Sequence, residues 1–174
     1  MTTFEFTLLI DHELTDDEVE QLLSRADDVT PELGRGRTQL GFDRDASSLV
    51  EALVSALADV EALGLTASGV LSDDMVTLKE IATRTQRSYE SARLLAQGKR
   101  GPGGFPAPIS ADRWAIYSWA EVRAWFARCL PSSLHSGHDV VEYDRLIAAA
   151  DHLIRARALM RGDAHATGLA ALVA

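Results

Sequence analysis

From Phe4 to Ile10, every second side chain is apolar. A period of two is typical of a β-strand that buries one face. The apolar positions of this strand are Phe4, Phe6, Leu8 and Ile10. The pattern therefore predicts a first strand over about residues 4–10.

Two later stretches of the first 73 residues change to helical spacing. Thr15 precedes three acidic residues, which favour the start of a helix because the positive end of its dipole attracts carboxylates. A second helix is predicted from about Ala46 to Leu63, where Gly64 ends it. Its apolar side is expected to comprise Leu49, Val50, Leu53, Val54, Leu57 and Val60.

The remaining parts of this region are extended. Gly34 and Gly36 predict a turn between strands at about 28–33 and 38–42, and residues 65–71 predict a final strand. The resulting order, βαββαβ, predicts an α+β fold with a ferredoxin-like domain over residues 1–73. That architecture serves packing, dimerisation and ligand sensing alike, so it does not define a function.

Residues 74–130 predict two short helices joined by a tight turn. Thr77 and Glu80 have the spacing of a capping box, and Leu78, Ile81 and Ala82 supply the apolar face of the first helix. Ser88 is predicted to cap the second helix and Gly98 to end it. The inward side chains of that second helix are expected to be Ala92, Leu95 and Ala96. This arrangement is typical of a helix-turn-helix.

The segment after the second helix contains many glycines and prolines. Residues 99–108 therefore predict an ordered turn or wing, followed by a returning strand over 113–119 and a helix that begins at Ser118 and ends before Pro131. We expect the domain core to contain three tryptophans, Trp114, Trp119 and Trp125. Residues 74–130 are thus predicted to form a winged helix-turn-helix.

Residues 131–174 predict a helical tail. After a polar linker, a helix is expected from Asp139 to about Met160. One apolar stripe of this helix comprises Val140, Tyr143, Ile147, Ala150 and Ile154. Two interpretations remain open, packing of the stripe on its own chain or a contact between two copies, and we expect a homodimer.

The charge is unevenly distributed along the chain. The whole chain has a net charge of −9, but residues 1–74 have −13, residues 75–130 have +5 and residues 131–174 have −1. Because salt screens charges beyond about 8–10 Å, the local excess decides the attraction to phosphates. The basic region coincides with the predicted helix-turn-helix, which favours a nucleic-acid partner.

Several short segments of residues 76–126 are similar to those of known DNA-binding families. They are residues 78–82 (LKEIA), 87–93 (RSYESAR), 100–106 (RGPGGFP) and 119–122 (WAEV). The region resembles the winged helix-turn-helix of MerR-type regulators and phage excisionases. More closely, residues 4–126 resemble small actinobacterial helix-turn-helix proteins with an acidic N-terminal domain. The resemblance implies binding to double-stranded DNA.

The geometry of a helix-turn-helix divides the candidate residues into two groups. The start of the second helix usually reaches base edges, which here means Ser88, Tyr89, Glu90, Ser91 and Arg93. Arg93 has the donors for guanine and Glu90 an acceptor for cytosine. Phosphate contacts are expected from Arg84, Arg87, Lys99, Arg100 and Arg113. The alternative interpretation is that these are only solvated surface charges.

The sequence predicts a transcriptional regulator that binds specific double-stranded DNA, and no enzyme. The alternative is an antitoxin-like protein whose acidic domain or tail neutralises a partner protein while the helix-turn-helix regulates its own operon. We find no pairing of nucleophile and base and expect no metal or cofactor, because His135 and His138 lack further ligands. One cysteine and the lack of an apolar span favour a cytoplasmic, nucleoid-associated protein without a membrane partner.

Overall fold

The computed structural model describes residues 1–34, 36–110, 114–131, 138–163 and 165–172. The protein is mixed α+β with antiparallel sheets, and its chain forms two compact units. Residues 1–71 and 149–174 form the first unit, and residues 72–148 form the second. The residues predicted as a separate tail are therefore divided between the two.

The first unit contains a four-stranded sheet with two helices inserted between its strands. Its elements within residues 1–71 are β1 (Thr2–Ile10), α1 (Asp16–Arg25), β2 (Val29–Gly34), β3 (Arg37–Ala46), α2 (Leu49–Ala62) and β4 (Ala67–Val70). The strand order across the sheet is β2-β3-β1-β4, with antiparallel neighbours throughout. The predicted order of strands and helices is confirmed for this unit.

The predicted alternation in β1 corresponds to its burial. Phe6, Leu8 and Ile10 are buried in the core, and Phe6 stacks on Phe42 of β3 with ring centroids 5.5 Å apart. Helix α1 begins as predicted, because the Thr15 hydroxyl accepts from the backbone of Glu18 and the Glu18 carboxylate accepts from the backbone of Thr15. Local sequence signals therefore set both elements.

Helix α2 differs from its prediction in two respects. It begins at Leu49, after Ser48 as its N-cap, because Ala46 is the last residue of β3 and pairs with β1. Val50 and Val54, predicted on the buried side, are 50% and 62% exposed, so that prediction is wrong. Residues on the adjacent positions of the helix, among them Ala52 and Ala56, fill the interior instead.

The second unit has a two-stranded sheet and short helices. Its elements are β5 (Met75–Thr77), α3 (Leu78–Arg84), α4 (Tyr89–Ala96), β6 (Ile116–Ser118), α5 (Trp119–Cys129) and the first residues of α6 (His138–Leu159). Its core comprises Val76, Ile81, Ala82, Ala92, Leu95, Tyr117, Trp119, Val122, Trp125 and Phe126. This small core fixes the α3–α4 pair.

Helix α6 corresponds to the predicted tail helix, and a short helix α7 (Ala166–Ala170) follows it. Ile147 and Ile154 are 7% and 8% exposed. These two residues of the apolar stripe therefore pack within the chain, which is the first of the two interpretations. Among the helices that the structure describes, none is long and apolar enough to cross a membrane.

Candidate nucleic-acid interface

Helix α3 and the turn after it are built from local hydrogen bonds. The capping box predicted at Thr77 and Glu80 is present, with a 2.7 Å bond from the Thr77 N–H to the Glu80 carboxylate. The helix ends because Gln86 takes a left-handed backbone conformation with φ of 53°. The N–H of Arg87 then donates to the carbonyl of Ala82 at 2.8 Å, which closes the last turn. This turn redirects the chain into α4.

Helix α4 presents two different faces. Ser88 caps its start by accepting from the N–H of Ser91 at 3.1 Å, as predicted. Gly98, with φ of 66°, ends it, and the N–H of Lys99 donates to the carbonyl of Leu94. Ala92 and Leu95 are buried, as predicted, whereas the outward side chains of its first two turns are polar.

Glu90 and Arg93 form a two-bond ion pair on the outward face of α4. Nε of Arg93 donates to one carboxylate oxygen at 2.9 Å and Nη2 donates to the other at 2.6 Å. These bonds lower the pKa of the Glu90 carboxyl and raise the pKa of the Arg93 guanidinium. Tyr89 is 53% exposed beside them, and Ser91 is half-buried. The structure thus places the residues predicted to reach base edges at the N-cap and in the first turns of α4.

Arg84 and Arg87 are held against aromatic rings. The guanidinium of Arg84 lies 5.0 Å from the ring centroid of Trp119 and donates to the carbonyl of Asp73 at 3.1 Å. The guanidinium of Arg87 lies 5.5 Å from the ring centroid of Phe126, and the residue is half-buried. Stacking on a ring fixes the orientation of a guanidinium. These two arginines are therefore partly engaged in packing, which neither the predicted phosphate contacts nor the alternative of solvated surface charges included.

The segment rich in glycine and proline is attached to the core through Phe105 and Gly103. The ring of Phe105 makes edge contacts with Tyr117, Trp125 and Phe126 at centroid distances of 5.9, 5.0 and 6.3 Å. The indole N–H of Trp125 donates to the carbonyl of Gly103 at 3.0 Å. These contacts order the chain after Lys99 and Arg100, whose side chains are exposed.

The returning strand is shorter than predicted. Strand β6 covers residues 116–118, and the backbones of Ser110 and Ile116 pair just before it. Tyr117 is buried, whereas Trp114 is 73% exposed, so the prediction of Trp114 as a core residue is wrong. Tyr117 belongs to the core and Phe105 packs against it. Arg113 lies outside the described residues.

One residue near the ion pair was not among the predicted site residues. Gln97 accepts a long contact of 3.4 Å from Nη1 of Arg93. The spacing of four residues between Arg93 and Gln97 is the signal that identifies such a pair on one helix face. Helix α4 therefore holds the Arg93 side chain from both sides along its axis.

Within the part of the chain that the structure describes, no group of three or more His, Cys, Asp or Glu residues could hold a metal ion. His135 and the side chain of His138 lie outside that part. No family model, curated protein or solved structure matches this chain in sequence or fold comparisons.

Proposed function

We propose that the protein binds specific double-stranded DNA and regulates transcription. The observation that carries the proposal is the outward face of α4, which combines an exposed tyrosine with an oriented arginine on a helix held by a tight turn. Helices in this setting enter the major groove and contact base edges with their first residues. Arg93 supplies donors suited to guanine, and Ser88, Tyr89 and Ser91 lie in the same first turns.

Local charge supports the same partner. Residues 75–130 have a net charge of +5, and exposed Lys99 and Arg100 directly follow α4. Phosphates attract such cations and release bound counterions, which favours binding and makes it sensitive to salt. The first unit is strongly acidic, so it repels DNA that approaches it.

The architecture is consistent with this proposal. We infer a ferredoxin-like first unit, because its βαββαβ order and the sheet order β2-β3-β1-β4 match the split βαβ arrangement. We infer a winged helix-turn-helix in the second unit from the α3–α4 pair and the ordered segment after it. We propose that the protein acts in the cytoplasm on the nucleoid and binds DNA as a homodimer.

Selection of bound duplexes from a random pool tests the proposal. The purified full-length protein is mixed with duplexes that contain a random central region, and bound molecules are recovered over several rounds. We expect one enriched motif. The affinity of the protein for this motif should exceed its affinity for random duplex by at least about a thousandfold, as is usual for specific binders. A pool without enrichment, and without binding even at low salt, would contradict DNA binding.

The same experiment includes a control for total charge. A double variant, Arg37→Ala with Arg145→Ala, removes two exposed charges outside the α3–α4 pair and is expected to enrich the same motif. A second protein that co-purifies in equal amount and displaces the DNA would instead favour the antitoxin-like alternative.

A further inference from the structure

The ion pair on α4 uses only part of the Arg93 guanidinium. A guanidinium has five N–H groups in a planar fork. Glu90 accepts from Nε and from Nη2, which together form one lateral edge of that fork. Gln97 is 3.4 Å from Nη1, near the limit of a hydrogen bond. The lateral edge is therefore satisfied within the protein.

The terminal edge of the same guanidinium remains available. This edge consists of one N–H of Nη1 and one N–H of Nη2, which point away from the side-chain stem in parallel. In the described part of the chain, the side-chain acceptors that bond Arg93 are those of Glu90 and Gln97, and the only contact of Nη1 is the long one to Gln97 at 3.4 Å. Two parallel donors match the O6 and N7 acceptors of a single guanine in the major groove.

We propose that Glu90 is a positioning residue, which holds Arg93 so that its terminal edge recognises one guanine. This inference rests on the proposed DNA-binding function. It describes how the protein orients the side chain that makes its main base contact. It differs from the expectation that Glu90 itself accepts from cytosine: both carboxylate oxygens accept from Arg93, and Glu90 acts through that side chain. Gln97 supports the same orientation from the next turn.

Two physical effects give Glu90 this role. A long arginine side chain loses rotamer freedom when it binds a base, and an arginine that is already held loses less. The Glu90 carboxylate also carries a negative charge on the surface that faces DNA, where it repels phosphates. Glu90 therefore strengthens the guanine contact and so increases discrimination at that base pair, while its charge lowers the affinity for every duplex.

The test uses the full-length protein and the duplex enriched by selection. Arg93→Lys first identifies the guanine, as the single base pair at which discrimination falls, since lysine cannot form the two-donor contact. Glu90→Gln, measured on the same duplexes, is expected to lose about tenfold discrimination at that pair only. It is also expected to bind random duplex a few-fold more tightly, because one repulsive charge is gone.

Two controls separate this role from general effects. Glu121→Gln removes the same charge from an exposed site on α5 of the second unit and is expected to keep wild-type discrimination. The double variant Glu90→Gln with Arg93→Lys is expected to discriminate no worse than Arg93→Lys alone, because Glu90 acts through Arg93.

The outcomes separate failure of the proposed function from failure of the positioning role. A wild-type protein without sequence preference overturns the proposed function and this inference with it. A wild-type protein with a clear motif, whose Glu90→Gln variant keeps full discrimination at the guanine identified by Arg93→Lys, overturns only the positioning role. Equal weakening of Glu90→Gln on every duplex also overturns it, since a positioning role predicts loss at one base pair.

Discussion

The backbone N–H of Val70 donates a 2.9 Å hydrogen bond to the side chain of Asp151. Val70 belongs to β4, an edge strand of the four-stranded sheet, and Asp151 belongs to α6. Arg155 donates to the same carboxylate at 2.8 Å. A Cβ at Gly69 would lie 2.6 Å from the Asp151 oxygen, so glycine is needed for this approach. The carboxylate thus satisfies one of the donors that an edge strand leaves unpaired.

Removal of this acceptor tests how much the end of α6 stabilises the first unit. Asp151→Ala leaves the buried N–H of Val70 unsatisfied and is expected to lower the free energy of unfolding by about 1–3 kcal/mol. Asp151→Asn retains a carbonyl acceptor and is expected to lower the free energy of unfolding by less than Asp151→Ala does. Denaturant unfolding measures both. Glu142→Ala, an exposed acid on the same helix, is the control, and a loss equal to that of Asp151→Ala would contradict the prediction.

Arg44 and Asp28 predict a pH dependence of stability. Nε and Nη2 of buried Arg44 donate to Asp28 at 2.6 and 2.8 Å, and these hydrogen bonds lower the pKa of the Asp28 carboxyl below its ordinary value of 3.8. A lowered folded-state pKa gives a stabilisation that is present above pH 3.8 and is lost as the pH falls through the folded-state value. Asp28→Asn is therefore expected to destabilise at pH 7 by about 1–2 kcal/mol.

The difference between wild type and Asp28→Asn should shrink as the pH falls below 3.8. Denaturant unfolding at a series of pH values measures it. Asp27→Asn, at the exposed neighbouring position, serves as the control and should follow the wild-type curve at pH 7. A difference that stays constant down to the acid limit would show that the charge of Asp28 has no part in the stabilisation.

Gln86 occupies a backbone conformation that favours glycine. Its φ of 53° costs a residue with a Cβ about 1 kcal/mol relative to glycine, which adopts this region freely. Gln86→Gly is therefore expected to stabilise the second unit by up to about 1 kcal/mol. Lys79→Gly in α3 is the control. Glycine at this exposed helical position should lower the free energy of unfolding by a similar amount. Thermal unfolding shows whether each variant is more or less stable than the wild type, and a destabilised Gln86→Gly variant would contradict this expectation.

The elements that sequence predicted well depend on neighbours in the chain. The capping boxes at Thr15 and Thr77 need only a partner three residues away, so their spacing is sufficient. Gly98 ends α4 for the same kind of reason, because its conformation satisfies carbonyls of the preceding turn. The order of strands and helices in the first unit follows from such signals together with the alternation in β1.

The errors concern tertiary competition for space. Trp114 is a large aromatic residue of the kind that a core usually contains, but the ring that packs against Trp125 and Phe126 is that of Phe105. Phe105 lies in a segment without periodicity, and its burial depends on α5 residues about twenty positions further along the chain. Spacing alone likewise puts Glu90 and Arg93 on one helix face, whereas the division of the guanidinium into a satisfied and an available edge requires coordinates.

Lys99 and Arg100 are expected to contribute to the salt dependence of DNA binding. Both are exposed just after α4, where the chain is held by Gly98 and Phe105. If they bind phosphates, they release counterions but distinguish no sequence. The double variant Lys99→Ala with Arg100→Ala is therefore expected to weaken binding to the selected duplex and to random duplex by the same factor.

The slope of log affinity against log salt provides the quantitative measure. Its magnitude is expected to decrease by about 1 for each phosphate that the variant no longer binds, and thus by about 2 for the double variant. The variant with Arg37→Ala and Arg145→Ala changes the net charge equally and should keep the wild-type slope, because an effect of total charge alone is screened beyond about 10 Å. If both double variants change the slope equally, the long-range field is responsible. If neither does, Lys99 and Arg100 do not bind phosphates, and other residues must supply the phosphate contacts.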